Sequence, residues 1–225
     1  MKLFRAKYPS FLKLLFPERL THIEDDKGIY LTFDDGPVQE ATPWVLDLLG
    51  KHEAKATFFC IGDNVKKHPD IFRRIIEEGH GIGNHTFNHL NGWKTSESEY
   101  LENTQLAEKI MTETGKQLKT NNSKLQTPNY SLFRPPYGKI KNSQAKSLKE
   151  QGYKIVMWDV ISGDYDREFS GEECLENVIE NATPGSTIVL HDSKKAFKNL
   201  KVILPQILDH YKEKGLEFRS LKGVL

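Results

Sequence analysis

The chain has 225 residues, 37% of them hydrophobic, and 32 Lys and Arg against 31 Asp and Glu give a formal net charge of +1. That length fits one large domain or two small ones with a sizeable core, and the near-balanced, interspersed charges exclude a global field for nucleic acid. Its two cysteines, Cys60 and Cys174, have no CxxC spacing. A disulfide framework is therefore excluded, and each reads as a small buried apolar residue.

The N-terminal stretch mixes Phe4, Phe11, Leu12, Leu14, Leu15 and Phe16 with Lys2, Arg5, Lys7, Lys13, Glu18 and Arg19. Lys13 interrupts what would be the apolar centre of a signal peptide, and no small-residue cleavage site follows. No stretch approaches the roughly 18 apolar residues of a membrane-spanning helix. The expectation is a short amphipathic helix packed on the domain, with residues 1–20 as a basic-aromatic membrane-surface segment the alternative. A cytoplasmic location, the inner face of the membrane included, and a monomer are the defaults. Residues 1–27 are set apart as an N-terminal segment preceding one domain over 28–225.

Seven short buried strands are expected, at 28–33, 56–61, 81–84, 132–135, 154–158, 187–190 and 216–219. Ile29, Leu31 and Phe33 alternate with Tyr30 and Thr32, whereas Ile155-Val156-Met157 and Ile188-Val189-Leu190 are continuous apolar runs suited to strands covered on both faces. Pro43 opens and Gly50 closes a helical stretch at 44–49. Pro69 precedes the stripe Ile71, Phe72, Ile75, Ile76, which stops at Gly79. Ser96-x-x-Glu99 and Ser170-x-x-Glu173 are capping boxes in front of further helices, and two more are expected at 143–151 and near 197–212. The polar stretch 116–130, with Asn121-Asn122-Ser123, reads as a surface loop, and no internal repeat is visible. Strands alternating with helices indicate an α/β domain with a parallel sheet. Seven units suit a distorted (β/α)7 barrel related to the eight-stranded TIM form; a flat doubly wound sheet is the alternative, but no glycine-rich nucleotide fingerprint is present.

The chemistry-bearing residues sit at strand ends. Asp34 and Asp35 end the first strand, His85 follows the third, Arg134 ends the fourth, Asp164 lies past the fifth and His191 ends the sixth. In a parallel barrel those ends emerge on one face, the face that carries active sites. Successive side chains on a strand alternate, so Asp34 and Asp35 can reach one site only if the backbone turns at Gly36-Pro37, and adjacent carboxylates need a cation or proton nearby. His85 and His89 are four apart, as on one face of a helical turn. Two imidazoles and one carboxylate with open positions suit a hydrolytic zinc site, although non-haem iron uses the same ligand types.

In this order, Thr32-Phe33-Asp34-Asp35-Gly36-Pro37, His85-Thr86-Phe87-Asn88-His89, Arg134-Pro135-Pro136-Tyr137 and Leu190-His191-Asp192 resemble the signature segments of the NodB-homology polysaccharide deacetylases, carbohydrate esterase family 4. The resemblance runs from about Gly28 to Leu225. It implies that Asp35, His85 and His89 hold a divalent metal, most often zinc, with cobalt or manganese acceptable. It implies that Asp34 is the general base, that Arg134 holds it ionised, and that His191 protonates the leaving amine with Asp164 behind it. The Tyr137 N–H and the metal would stabilise the oxyanion, and Leu190 would line the pocket for the acyl methyl. The chain departs from the family's D-x-x-D-W segment: Ile161 stands in place of the first acid and Tyr165 in place of the tryptophan. Trp93 is a further candidate groove aromatic, with a core position equally open.

The function this implies is a metal-dependent hydrolase removing an N-acetyl group from an N-acetylhexosamine in a glycan or glycolipid, with no nucleic-acid partner. Another bond on the same scaffold (formamide, cyclic imide, O-acetyl ester) and a non-catalytic carbohydrate-binding module are the alternatives.

Overall fold

Strand β1 (Gly28–Asp34) is buried along its whole length. Its Ile29, Leu31 and Phe33 face outward into the main core with Val45 and Leu46, Ile75, and Ile203, Leu204 and Ile207. The alternate residue Tyr30 faces inward, with Phe59, Leu132 and Val156. One strand thus feeds two apolar layers, each fully buried large side chain contributing about 1.5–3 kcal/mol. The computed structural model describes residues 4–116 and 131–222; apart from Lys116, the loop expected at 116–130 lies outside them.

The strands β2 (Thr57–Cys60), β3 (Gly81–Asn84), β4 (Leu132–Phe133), β5 (Lys154–Ile155), β6 (Val160–Ile161), β7 (Thr187–His191) and β8 (Glu217–Phe218) complete the sheet. Their order is β5-β4-β3-β2-β1-β7-β6, with β8 beside the start of β1, and each pairing is parallel. The helices are α1 (Ser10–Leu15), α2 (Ala41–Lys51), α3 (Gly62–Lys67), α4 (Pro69–Glu77), α5 (Glu97–Lys116), α6 (Asn142–Glu150), α7 (Gly171–Ile179) and α8 (Phe197–Glu213). The architecture is the distorted (β/α)7 barrel that the strand count implied. No helix among the described residues is long and apolar enough to cross a membrane.

Local signals placed several boundaries well. Pro69 is the first residue of α4, and Ser170 and Glu173 cap α7 reciprocally. Others moved. Helix α2 starts at Ala41, because the Thr42 hydroxyl accepts the Val38 N–H at 2.8 Å and turns the chain before Pro43. Gly50 consequently lies inside it, and the left-handed residue beyond its end is Glu53 (φ 54°). Helix α3 and strand β6 were not expected. The apolar run expected as a strand at 154–158 pairs with β4 only through Lys154 and Ile155.

The pairing ends where β4 runs into Arg134-Pro135-Pro136, whose prolines have no N–H to donate, and the opposite edge of β5 is taken by the N-terminal segment. Leu20 bridges Val156, His22 bridges Ser186, and Lys7 bridges Val160. The segment therefore spans the gap between β5 and the β6–β7 edge, donating or accepting the backbone hydrogen bonds those edges would otherwise lack. The buried Asp159 carboxylate holds it there, accepting from Lys13 Nζ at 2.8 Å, Lys7 Nζ at 3.3 Å and the Ser186 hydroxyl at 2.6 Å. Helix α1 itself buries no residue.

Candidate active site and metal centre

The acidic pair is split by a turn. Asp34 is the last residue of β1, and Asp35 takes a left-handed backbone (φ 80°), so both carboxylates line one groove although they are consecutive. Three contacts fix this turn: Asn64 Nδ2 donates to the Asp35 carbonyl at 2.7 Å, and Asp192 accepts from the Gly36 N–H at 3.1 Å and the Thr42 hydroxyl at 2.5 Å. A Cβ on Gly36 would collide with that Asp192 carboxylate. Burial raises the Asp192 carboxyl to about 8, with the Asp35 charge adding to it. Asp192 was visible only as the end of the Leu190-His191-Asp192 segment; its anchoring role has no sequence signal.

The two histidines follow β3 on a loop rather than a helical turn. Thr86 (φ 63°) and His89 (φ 55°) are left-handed, which excludes helix. Asn84 Oδ1 accepts the Thr86 N–H at 2.8 Å, and Asn103 Oδ1 on α5 accepts the N–H groups of Phe87 and Asn88 at 2.8 and 2.9 Å. The four-residue spacing brings the rings together, at 5.1 Å between centroids, by this side-chain-braced loop instead. Asn84 and Asn103 were not foreseen, because asparagines at such positions look like ordinary turn residues.

His85 Nδ1 lies 2.7 Å from the Arg134 carbonyl and must donate to it, which leaves Nε2 as a lone pair. His85 Nε2 and His89 Nε2 lie 3.8 and 3.3 Å from Asp35 Oδ1. Burial lowers both imidazoles, His89 to about 4, so both are neutral. The three ligand atoms lie within 4.8 Å of one another, and Asp35 Oδ1 is buried without a hydrogen-bond partner. An orphaned carboxylate oxygen facing two neutral imidazole nitrogens fits a divalent cation.

Beside this trio, Arg134 is fully buried. Its Nη1 donates to Asp34 Oδ1 and to the Thr32 hydroxyl, both at 2.7 Å, and its Nη2 to the Met157 carbonyl at 2.7 Å. Burial pushes the Asp34 carboxyl up, but the Arg134 guanidinium, with His191, outweighs it and holds it below the usual carboxylate range. On the other side, Asp164 accepts from His191 Nδ1 and from the His191 backbone N–H, both at 2.8 Å. Burial disfavours the imidazolium, yet Asp164 overrides it and raises His191 to about 9. The groove thus presents an ionised carboxylate and a protonated imidazole on either side of the candidate metal trio.

The groove is lined by Asp34, Asp35, His85, His89, Arg134 and His191, and by Tyr137, Trp158, Ile161, Tyr165, Val189 and others; Asp164 stands behind His191, outside the lining. Tyr137 (φ 60°) is 62% exposed and rests on the His89 ring at 4.5 Å, and Tyr165 meets His191 edge-on at 4.9 Å. Two expectations change. Leu190 is fully buried in the outer core with Ile188 and is absent from the groove: strand alternation turns Val189 and His191 inward and Leu190 away. Val189 lines the groove in its place. Trp93 joins neither core nor groove lining; it is 60% exposed, with Lys139 Nζ 5.3 Å above its ring.

Three kinds of comparison with known proteins agree. The family model described as polysaccharide deacetylase matches residues 22–156. The chain is 38% identical over 202 residues to a peptidoglycan-N-acetylglucosamine deacetylase of Bacillus cereus, covering 89% of each. It is 34% identical over 203 residues to a peptidoglycan-N-acetylmuramic acid deacetylase of Bacillus subtilis, covering 89% of this chain and 72% of the other. Its fold superposes on the crystal structure of a peptidoglycan N-acetylglucosamine deacetylase with a TM-score of 0.82, 34% identity and 95% coverage of both chains.

Proposed function

Because the chain belongs to the polysaccharide deacetylase family, we propose that it removes the acetyl group from N-acetylglucosamine residues of peptidoglycan. It is a metal-dependent hydrolase of a non-peptide carbon–nitrogen bond in an N-acetylated glycan. The single observation that carries the assignment of roles is the convergence, in one groove, of the Asp35–His85–His89 trio, the Arg134-paired Asp34 and the Asp164-paired His191.

Asp35, His85 and His89 would hold the cation, and zinc suits one carboxylate and two imidazoles with open positions, with cobalt or manganese acceptable. A cation bound there supplies Lewis acidity at the scissile carbonyl. Asp34, kept ionised by Arg134, takes the proton of the attacking water. The Tyr137 N–H donates to the oxygen on which charge develops. As the carbon–nitrogen bond breaks, His191 gives its proton to the sugar nitrogen, so that acetate and a free amine leave. Val189, Tyr165 and Trp158 form the walls against which the sugar and its methyl pack.

The roles separate in two variants. Asp34→Asn is expected to bind zinc as the wild type does and to lose about 10²–10⁴-fold in acetate release, the usual contribution of a positioned base. His85→Ala is expected to lose zinc as well. Near wild-type turnover by Asp34→Asn would refute the base assignment.

The exposed Phe11, Leu14 and Leu15 on α1 support peripheral contact of this face with a membrane surface. The clean test is vesicle flotation of Leu14→Glu/Leu15→Glu, since deleting residues 1–20 would also remove the Lys7 and Leu20 bridges to the sheet edges. Unchanged flotation would discard the contact.

A further inference from the structure

We propose that Arg5 and Lys195 form a cationic subsite for an oxyanion group, carboxylate or phosphate, carried on the glycan beside the acetylated sugar. This rests on the reading that the groove binds a glycan; the charge of that glycan is the new element.

The charge inventory of the groove is one-sided. Asp34 and Asp35 are the carboxylates among its described lining residues. Asp34 is paired with Arg134, and Asp35 faces the two histidines where a cation fits. Arg5, Lys139 and Lys195 also line the groove, and none of them makes an ion pair among the described residues. Away from the reacting centre the rim of the groove is therefore positive, a field that gathers anions and is weakened by salt.

Two of these cations stand on the exposed rim of one side of the groove, on anchored backbone. Arg5 lies on the N-terminal segment where it pairs with β6: the Ile161 N–H donates to the Ala6 carbonyl at 2.8 Å, and Lys7 bridges Val160. Its neighbour Phe4 packs edge-on against Phe169 at 4.7 Å, both rings covering Gly163. On the same side, Lys195 Nζ lies 5.7 Å from the centre of the Tyr165 ring, which in turn meets His191. Both cations thus flank the wall from which His191 reaches the leaving amine. Lys139 belongs to the opposite side, over Trp93.

Ile161 adds no negative charge to this wall. It lines the groove and pairs through its backbone with the residue next to Arg5. An acid at this position, as in the D-x-x-D-W segment, would offer Arg5 an intramolecular carboxylate. With isoleucine there, the guanidinium keeps its fork of donors for a ligand oxyanion, the geometry arginine matches best.

Three tetrasaccharides make the test: neutral chitotetraose, a peptidoglycan-derived glycan bearing free lactyl carboxylates, and a phosphorylated N-acetylglucosamine oligomer. Calorimetric binding to the zinc-loaded chain is expected to favour at least one charged glycan about tenfold over the neutral one. In acetate release, Arg5→Gln/Lys195→Gln and, separately, Ile161→Asp are each expected to cut the charged-to-neutral ratio of kcat/KM about tenfold, through KM. Added salt should erode the wild-type preference. Which charged glycan responds identifies the source of the oxyanion. Equal binding of all three glycans, or ratios unchanged in both variants, overturns the subsite. Tight binding of a charged glycan without acetate release would instead count against the deacetylase reading and leave the subsite standing.

Discussion

Gly36 shows how little freedom the reacting groups have. Any side chain there meets the Asp192 carboxylate, which holds the turn through the Gly36 N–H and the Thr42 hydroxyl. Gly36→Ala is therefore expected to cost about 1–3 kcal/mol, the usual range for overpacking, and to weaken zinc binding by shifting Asp35; thermal unfolding and zinc titration read the two effects. The His191–Asp164 pair gives a pH prediction. The proposed acid works only while protonated, so kcat/KM should fall as pH rises through a value near 9. Asp164→Asn removes the charge that outweighs burial, and its alkaline limb should move to lower pH by about one unit or more. A raised imidazole pKa also stabilises the fold, fully at pH values below the unfolded histidine value of about 6.5 and progressively less as pH climbs through 9. Identical pH profiles for the two proteins would remove Asp164 from this role.

Among the elements, β1, β2 and β7 were legible because their apolar residues follow the pleat or form runs covered on both faces. The site-bearing strand ends followed from them. The parts that were not legible depend on backbone pairing without side-chain periodicity: two-residue β6, the early stop of β5, and the N-terminal segment that spans the gap between them. Helical spacing misread the His85–His89 loop for a related reason, since asparagine side chains rather than a helix bring the rings together. Leu190 was misplaced through taking a family position in place of strand alternation. The element with the clearest test is the N-terminal segment. Lys13, the Ser186 hydroxyl and Lys7 hold the Asp159 carboxyl below its ordinary range although burial alone would raise it. A depressed carboxylate contributes stability above its unfolded pKa and loses it as pH falls through the folded one. Asp159→Asn is thus expected to lose about 1–3 kcal/mol at neutral pH, with the difference from wild type shrinking in acid; urea denaturation against pH checks both. Proteolysis should open first within residues 4–20. An unchanged midpoint would show that Asp159 does not anchor the segment.

At the scale of the molecule, a near-neutral chain concentrates its functional charge in one groove. The barrel brings residues from β1, the loop after β3, the end of β4, and the β6 and β7 region onto one face, and the N-terminal segment adds Phe4 and Arg5 to its edge. The family model ends at residue 156, yet Asp164 and His191, which supply the proposed acid, lie beyond it. The groove therefore acts as a unit with its cation in the proposed reaction. The most direct measurement is acetate release from N-acetylglucosamine-containing peptidoglycan fragments by the metal-stripped chain, titrated with zinc. Activity absent without metal and restored in full by one equivalent per chain is the predicted result; equal turnover with and without metal, or none in the zinc-loaded chain, would contradict it.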